Sequence, residues 1–322
     1  MILQCDFMDK SHQELSPGTA QLIKKFRSIF KNFVNLTLDE KRSTLDSIYM
    51  TDKQKTPVDT VNDKEISWNG LSIPIRIYHM NLMNRLPVVL YFHGGGWVLG
   101  SLDSQDALCR LIASRHECVV ISVGYRLAPE HRYPAAIEDC LAVLEWTTSK
   151  AEVGNWDIRQ IVLAGDSAGG NLAAVVSKLF RKKNLAGKII HQILIYPVTD
   201  LSQFNTQSYQ SYGTGYCLDK KEMMWFRKLY LTNENESSNP YVSPLLETDF
   251  QGYNQTTVIT AGFDVLRDEG MKFYAKLRDN GVKTELINFD SLTHSFLRFT
   301  EYDENAMDAV SQIVEIIGSS WI

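Results

Sequence analysis

Cysteine is scarce in this chain of 322 residues: there are five (Cys5, Cys109, Cys118, Cys140, Cys217), an odd number, never spaced as C-x-x-C. That pattern argues against a disulfide scaffold or a zinc site and fits reduced thiols serving as small core hydrophobes in a cytoplasm. Long apolar runs are missing as well, since no segment reaches the roughly 18 apolar residues of a membrane span. Met1 to Lys10 carries Asp6 and Asp9 and has no apolar stretch of signal-peptide length. Positive charge is not in excess: the net charge is −5 and no Lys/Arg run alternates with aromatics, which disfavours nucleic acid as a partner. H-E-x-x-H and clustered His/Cys/Asp sets are absent, so neither a metal nor a cofactor is expected. The expected partner is a small molecule, and the expected assembly a monomer or a homodimer.

What is present is material for a large core. Hydrophobic residues make up 44% and charged residues 22%, ordinary values for a globular protein. The first fifty residues are polar and helix-like, with Leu22, Ile23, Phe26, Ile29, Phe30 and Phe33 near a 3.6 period over 20–33. From about Glu65 the period changes, and Ile73, Ile75 and Ile77 alternate as in a half-buried strand. Short apolar runs then recur at 87–92, 118–123, 160–164, 192–196, 256–261 and 284–289. Amphipathic stretches at 104–115, 135–150, 168–183 and 266–280 separate most of them, and another at 304–317 follows the last. Continuous Val/Ile/Leu runs alternating with helices predict an α/β fold with a mostly parallel sheet covered on both faces.

One interval breaks the rhythm. Residues 200–240 hold no convincing strand, and 219–231 reads as a helix with an Asp N-cap. An interval this long is more than a bare connection needs. The predicted organisation is a helical cap segment over 1–55, core over 56–200, a cap insertion over 201–240, and core again over 241–322.

The run 160–164 leads into Gly165-Asp166-Ser167-Ala168-Gly169, and a helix follows. G-x-S-x-G between a buried strand and a helix makes a sharp turn whose flanking positions must lack side chains, lifting the serine Oγ above the sheet. The pentapeptide alone is weak, occurring by chance in roughly one chain in ten of this length. Its other reading is a glycine turn that only permits close packing. The placement after a strand and before a helix favours Ser167 as a nucleophile, with the helix N-terminus facing the developing negative charge.

His93-Gly94-Gly95-Gly96-Trp97 follows the run 87–92. Three glycines leave backbone N–H groups uncovered for an oxyanion, and the N–H of Ala168 adds a third donor. A dinucleotide fingerprint would need glycine where Leu99 stands, and a phosphate loop would need lysine where Ser101 stands. His93 is expected to hold the loop rather than to transfer protons.

At these two motifs the sequence resembles the hormone-sensitive-lipase-like branch of the α/β-hydrolases, and within it bacterial acetyl esterases. Tyr125-Arg-Leu-Ala-Pro-Glu130 and Tyr133-Pro-Ala-Ala-Ile-Glu-Asp139 match a further stretch of the pattern. The resemblance runs from about Ile73 to the C-terminus. It implies an α/β-hydrolase fold with an eight-stranded core sheet flanked by helices, a small helical cap, and metal-independent hydrolysis of short-acyl carboxylic esters. It also implies Gly94, Gly95 and Ala168 as oxyanion donors, with His93, Gly96, Gly165, Asp166 and Gly169 as supporting motif residues.

Hydrolases of this fold order their catalytic groups Ser, then Asp/Glu, then His. Asp264 follows the run 256–261, at the carboxyl end of a strand, where sites in parallel sheets collect. Asp268 is the alternative acid, four residues on, where offsetting a helix dipole is its plainer role; the family pattern places the acid at Asp264. Only His191 and His294 follow Ser167 among the seven histidines. His191 precedes its strand run, whereas His294 follows 284–289 and matches the family's His-x-Phe, with Ser295 where the family often has Gly or Ala.

The expected activity is that of a serine carboxylesterase acting through an acyl-enzyme on short-acyl esters. Trp97 and Tyr196 are candidates for lining the substrate pocket, with ordinary packing as their other role. A binding protein on the same scaffold is the non-enzymatic alternative, since plant hormone receptors resembling the family lack the histidine; His294 is present here. Amides, lactones and carbamates would engage the same three groups and are not separated by sequence.

Overall fold

The computed structural model describes residues 14–24, 36–49, 56–80, 85–149, 155–183, 188–251 and 253–321. Eight strands form one sheet: β1 (Thr60–Trp68), β2 (Leu71–His79), β3 (Leu86–Phe92), β4 (Val119–Val123), β5 (Trp156–Asp166), β6 (Ile189–Ile195), β7 (Gln255–Phe263) and β8 (Thr284–Thr293). Their order is β1-β2-β4-β3-β5-β6-β7-β8, antiparallel at β1–β2 and β2–β4 and parallel throughout the rest. The antiparallel start is a hairpin: Asn69 and Gly70 both have positive φ (50° and 80°), the two-residue turn that matches strand twist. β8 lies at the other edge and pairs with β7.

Alternation along the central strands divides the core in two. Val88, Leu90 and Phe92 of β3 and Ile161 and Leu163 of β5 face one layer, while Val89, Tyr91, Val162 and Ala164 face the other. The helices are α1 (17–24), α2 (Leu38–Tyr49), α3 (Asp106–Arg115), α4 (Ala135–Ser149), α5 (Ala168–Lys182), α6 (Gln207–Tyr212), α7 (Lys220–Tyr230), α8 (Arg267–Asp279) and α9 (Glu304–Gly318). On the first layer pack α4, α5 and α8, through residues such as Ile137, Leu172 and Phe273. The second layer takes α3 and α9, whose Ile112, Val310, Ile313 and Ile317 form one apolar stripe. Each such side chain contributes roughly 1.5–3 kcal/mol by leaving water, which is what holds the helices on the sheet.

The predicted strands and helices recur with shifted ends. β5 starts four residues before the expected run, and β1 extends back to Thr60, where only Ile66 is buried and no apolar pattern announces a strand. Of the stretch 20–33, the helix is described to residue 24, and 25–33 lies outside the described residues. In the interval 200–240 the described residues hold α6, α7 and a 3-10 turn (Glu234–Ser238). Asp219 caps α7 reciprocally with Glu222, the capping box the sequence suggested in part. The six-residue α6 was not expected; its N-terminus is capped by Thr206. No helix among the described residues is long and apolar enough to cross a membrane.

Two contacts tie the N-terminal helices and the 200–240 interval to the core near the glycine loop. Arg42 of α2 donates to Val98 O (3.0 Å) and Ala128 O (2.9 Å) and forms a bidentate pair with Glu130 (2.8 and 2.9 Å). Tyr230 of α7 stacks on Trp97, centroids 4.2 Å apart and planes 4° from parallel.

Candidate active site

β5 ends in Asp166, and Ser167 turns the chain into α5 with φ 55° and ψ −116°. A non-glycine residue is strained there, by about 1–3 kcal/mol. The backbone is held: Ser167 N–H donates to Ile195 O (2.9 Å) and Ser167 O accepts from Asn171 and Val198 (3.1 and 3.2 Å). The flanking glycines are required by contact. A Cβ on Gly165 would lie 2.4 Å from Gly169 O, and one on Gly169 would lie 1.9 Å from Phe92 O. The turn therefore exists only because two backbones touch where side chains would stand.

His294 follows β8. Its Nε2 is 3.1 Å from Ser167 Oγ, and its Nδ1 is 2.7 Å from Asp264 Oδ2. Asp264, beyond the end of β7, uses Oδ1 to accept from Leu266 N–H (2.9 Å), which fixes the carboxylate. All three side chains are buried. Ser295, directly after His294, has φ 65°, the left-handed region that glycine occupies without strain. Serine accepts that conformation here.

The other acids and histidines stand elsewhere. Asp268, in the first turn of α8, accepts from Ser208 N–H (2.8 Å) and pairs with Arg267 (3.0 Å), so it holds α6 against α8. His191 sits low on β6 between Thr257 Oγ1 (2.9 Å) and Ser320 Oγ (2.8 Å). His93 stacks on Tyr125 at 4.3 Å, and its Nδ1–H donates to Gly94 O (2.7 Å). Burial pushes its pKa down to about 4, so the ring is neutral and structural.

The glycine loop departs from expectation at two residues, Gly94 and Gly96. Gly94 N–H donates to Asp166 Oδ1 at 3.0 Å, so this amide is spent inside the protein and does not serve an oxyanion. Gly95 and Gly96, with φ 117° and 63°, carry the next two amides. Among the described residues, those amides and that of Ala168 at the start of α5 donate to no protein acceptor. The family resemblance implies Gly94 and Gly95 as donors and Gly96 as support; the acceptor that takes Gly94 out of that set is 72 residues away.

The two aromatics named as pocket candidates are both buried and each lies against another ring. Trp97 is fully buried (0%) against Tyr230, and Tyr196 (1%) lies tilted against His294 with ring centroids 4.6 Å apart. Tyr196 thereby supports the imidazole from behind. The sequence pattern from 125 to 139 proves to be a brace for the loop. Tyr125 OH donates to His93 O (2.7 Å), Glu130 receives Arg42, and Asp139 accepts from Arg126 N–H (2.8 Å).

An eight-stranded α/β sheet with a strained serine turn, a histidine bonded to that serine and to an acid, and unpaired amides beside it defines a hydrolase class. The profile of the α/β-hydrolase fold family matches residues 89–298. A carboxylic ester hydrolase of Mycobacterium tuberculosis is 37% identical over 263 residues, 80% of this chain and 69% of that protein. An ethyl acetate hydrolase of Pseudomonas putida is 34% identical over 289 residues, 88% of this chain and 90% of the relative. Among solved structures, the esterase of the archaeon Pyrobaculum calidifontis superposes with a TM-score of 0.87 at 34% identity, covering 95% of this chain and 98% of its own. The chain belongs to the α/β-hydrolase family, in its hormone-sensitive-lipase-like branch.

Proposed function

We propose that this carboxylic ester hydrolase works through Ser167 as nucleophile, His294 as general base and Asp264 as the acid that orients it. The observation that carries the reading is the unbroken line from Ser167 Oγ to His294 Nε2 (3.1 Å) and from His294 Nδ1 to Asp264 Oδ2 (2.7 Å). Ser167 Oγ attacks the ester carbonyl as His294 takes its proton; the Asp264 carboxylate holds the tautomer and stabilises the imidazolium. Charge on the tetrahedral oxygen meets the amides of Gly95, Gly96 and Ala168, each worth roughly 3 kcal/mol of barrier. The alcohol leaves with the proton from His294, and water repeats the cycle on the acyl-enzyme.

Short acyl chains are the proposed substrates. The Pseudomonas relative, an ethyl acetate hydrolase, supports this, as does the filling of space around Gly96 and Trp97 by Phe226 and Tyr230 of α7. In the same reading, 1–55 and 201–240 form the cap over a core made of 56–200 and 241–322; Arg42 and α7 are its anchors on the glycine loop. A p-nitrophenyl ester series from acetate to palmitate, with wild type and Ser167→Ala in parallel, tests the proposal. Turnover of acetate or butyrate that disappears in the variant supports it. A folded wild type inactive on every chain length overturns the mechanism, and an optimum beyond about ten carbons overturns the short-acyl claim alone.

A further inference from the structure

Asp166 fills the second position of G-x-S-x-G, beside the nucleophile, and the mechanism above gives it no task. Its carboxylate is nonetheless buried, where an anion is costly unless its lone pairs are used. Oδ1 accepts two bonds, from Tyr91 OH (2.9 Å) and from Gly94 N–H (3.0 Å). A Cβ on Gly94 would come within 2.4 Å of Oδ2, so the glycine is what lets the carboxylate lie against the loop.

The consequence follows from the planarity of two successive peptide units. The first unit carries His93 O and Gly94 N–H. Its oxygen is held by Tyr125 OH (2.7 Å) and its N–H by Asp166. The second unit carries Gly94 O and Gly95 N–H. Its oxygen is held by His93 Nδ1–H (2.7 Å), which turns the Gly95 N–H the opposite way, into the unpaired set. Of these three anchors, His93 opens the loop itself and Tyr125, stacked on it, comes from the segment after β4. Asp166 alone is fixed to the residue that bears the nucleophile.

We propose that Asp166 is a positioning residue: through Gly94 N–H it sets the register of the glycine loop against Ser167, and so the distance from the attacked carbon to the amides that receive its oxyanion. The inference rests on the assignment of Ser167 as nucleophile. The role requires an acceptor at Oδ1 and no formal charge. Burial already pushes the Asp166 carboxyl pKa up, opposed by Arg298, the two bonds and His294, so a neutral acceptor suits the same place.

The test compares wild type, Asp166→Ala and Asp166→Asn on p-nitrophenyl acetate, with circular dichroism for folding. It also measures inhibition by an alkyl trifluoromethyl ketone, whose adduct with serine places an oxyanion among the loop amides. With Asp166→Ala, kcat is expected to fall on the order of 100-fold while KM changes by less than about threefold, and the ketone weakens in step. Asp166→Asn, which keeps the acceptor, is expected to stay within about fivefold of wild type in both. A folded Asp166→Ala enzyme with wild-type kcat overturns the proposal. So does a loss of kcat with unchanged ketone affinity, or an Asp166→Asn enzyme as slow as Asp166→Ala. If the alanine variant does not fold, the asparagine variant decides: retained kcat and ketone affinity support an acceptor role, and loss of both refutes it. Ser167→Ala run alongside separates the two readings, because wild-type turnover that survives it removes the nucleophile itself.

Discussion

Two glycine-rich turns meet at the site, and they differ in what holds them. The turn Gly165–Gly169 is fixed by contacts at the junction of β5, α5 and the end of β3: Gly165 against Gly169 O, Gly169 against Phe92 O. Chain connectivity alone puts the serine at the strand end. The loop Gly94–Gly96 is held from outside, by Asp166, by His93 stacked on Tyr125, and by Phe226, whose ring would lie 2.2 Å from a Cβ on Gly96. A turn of the first kind shows its requirement in its own five residues, two glycines about a serine, although Phe92 O supplies one of the contacts. One of the second kind takes its function from partners that the surrounding sequence does not name.

The comparison is broken most severely by removing the nucleophile. Ser167→Ala is expected to lower kcat by about 10⁶-fold with the melting temperature unchanged, since it deletes one hydroxyl and leaves the turn. A variant retaining a tenth of wild-type activity would show that the turn is packing only. Next, Asp264→Asn is expected to cost about 10⁴-fold in kcat, against less than about tenfold for Asp268→Asn, whose partners are Ser208 and Arg267. Equal losses would undo the assignment of the acid.

The glycines sharpen the contrast. Gly96→Ala is expected to give a folded enzyme slowed about 10²-fold, because φ 63° and the flexible Phe226 ring yield at the cost of amide alignment. Gly169→Ala meets the backbone oxygen of Phe92 at 1.9 Å and is expected to lower the melting temperature by more than any loop variant. Thermal melts of the two variants side by side check this; a more stable Gly169→Ala protein would reverse the contrast.

The smallest expected effect is on pH. His93 has a folded pKa of about 4, lowered by burial, against an ordinary value of 6.5. Above 6.5 the ring is neutral in both states; as pH falls from 6.5 towards 4 only the unfolded chain takes up the proton, so stability is lost across that window. His191, also lowered to about 4 by burial, adds to the same loss. Melting curves at intervals from pH 7 to 4.5 should fall progressively in the wild type and less steeply in His191→Asn. A flat profile would mean that neither ring is kept neutral.

Much of the fold was legible because its signals are local. Continuous apolar runs at β3, β4 and β7 reflect strands buried on both faces, and Ser167, Asp264 and His294 stand at strand ends that those runs locate. β1 was not legible as a strand, because this edge strand exposes most of its residues and needs no apolar alternation; the alternation of Ile73, Ile75 and Ile77 marks β2. The helix α6, six residues of Gln, Ser and Tyr, lacks any period to detect. The sequence left Trp97 and Tyr196 between pocket lining and packing, because an aromatic beside a motif looks the same whether it faces substrate or another ring.

The amino-acid sequence by itself determined the layer architecture, the serine turn and the order of the three polar groups, since these depend on periodicity, on glycine's missing side chain and on which residues end strands. Only the tertiary structure decided which acid reaches His294 and which loop amides remain free. Those outcomes depend on distances between segments tens of residues apart, and a hydrogen bond of 3.0 Å from Gly94 to Asp166 exists only once β3 and β5 lie side by side.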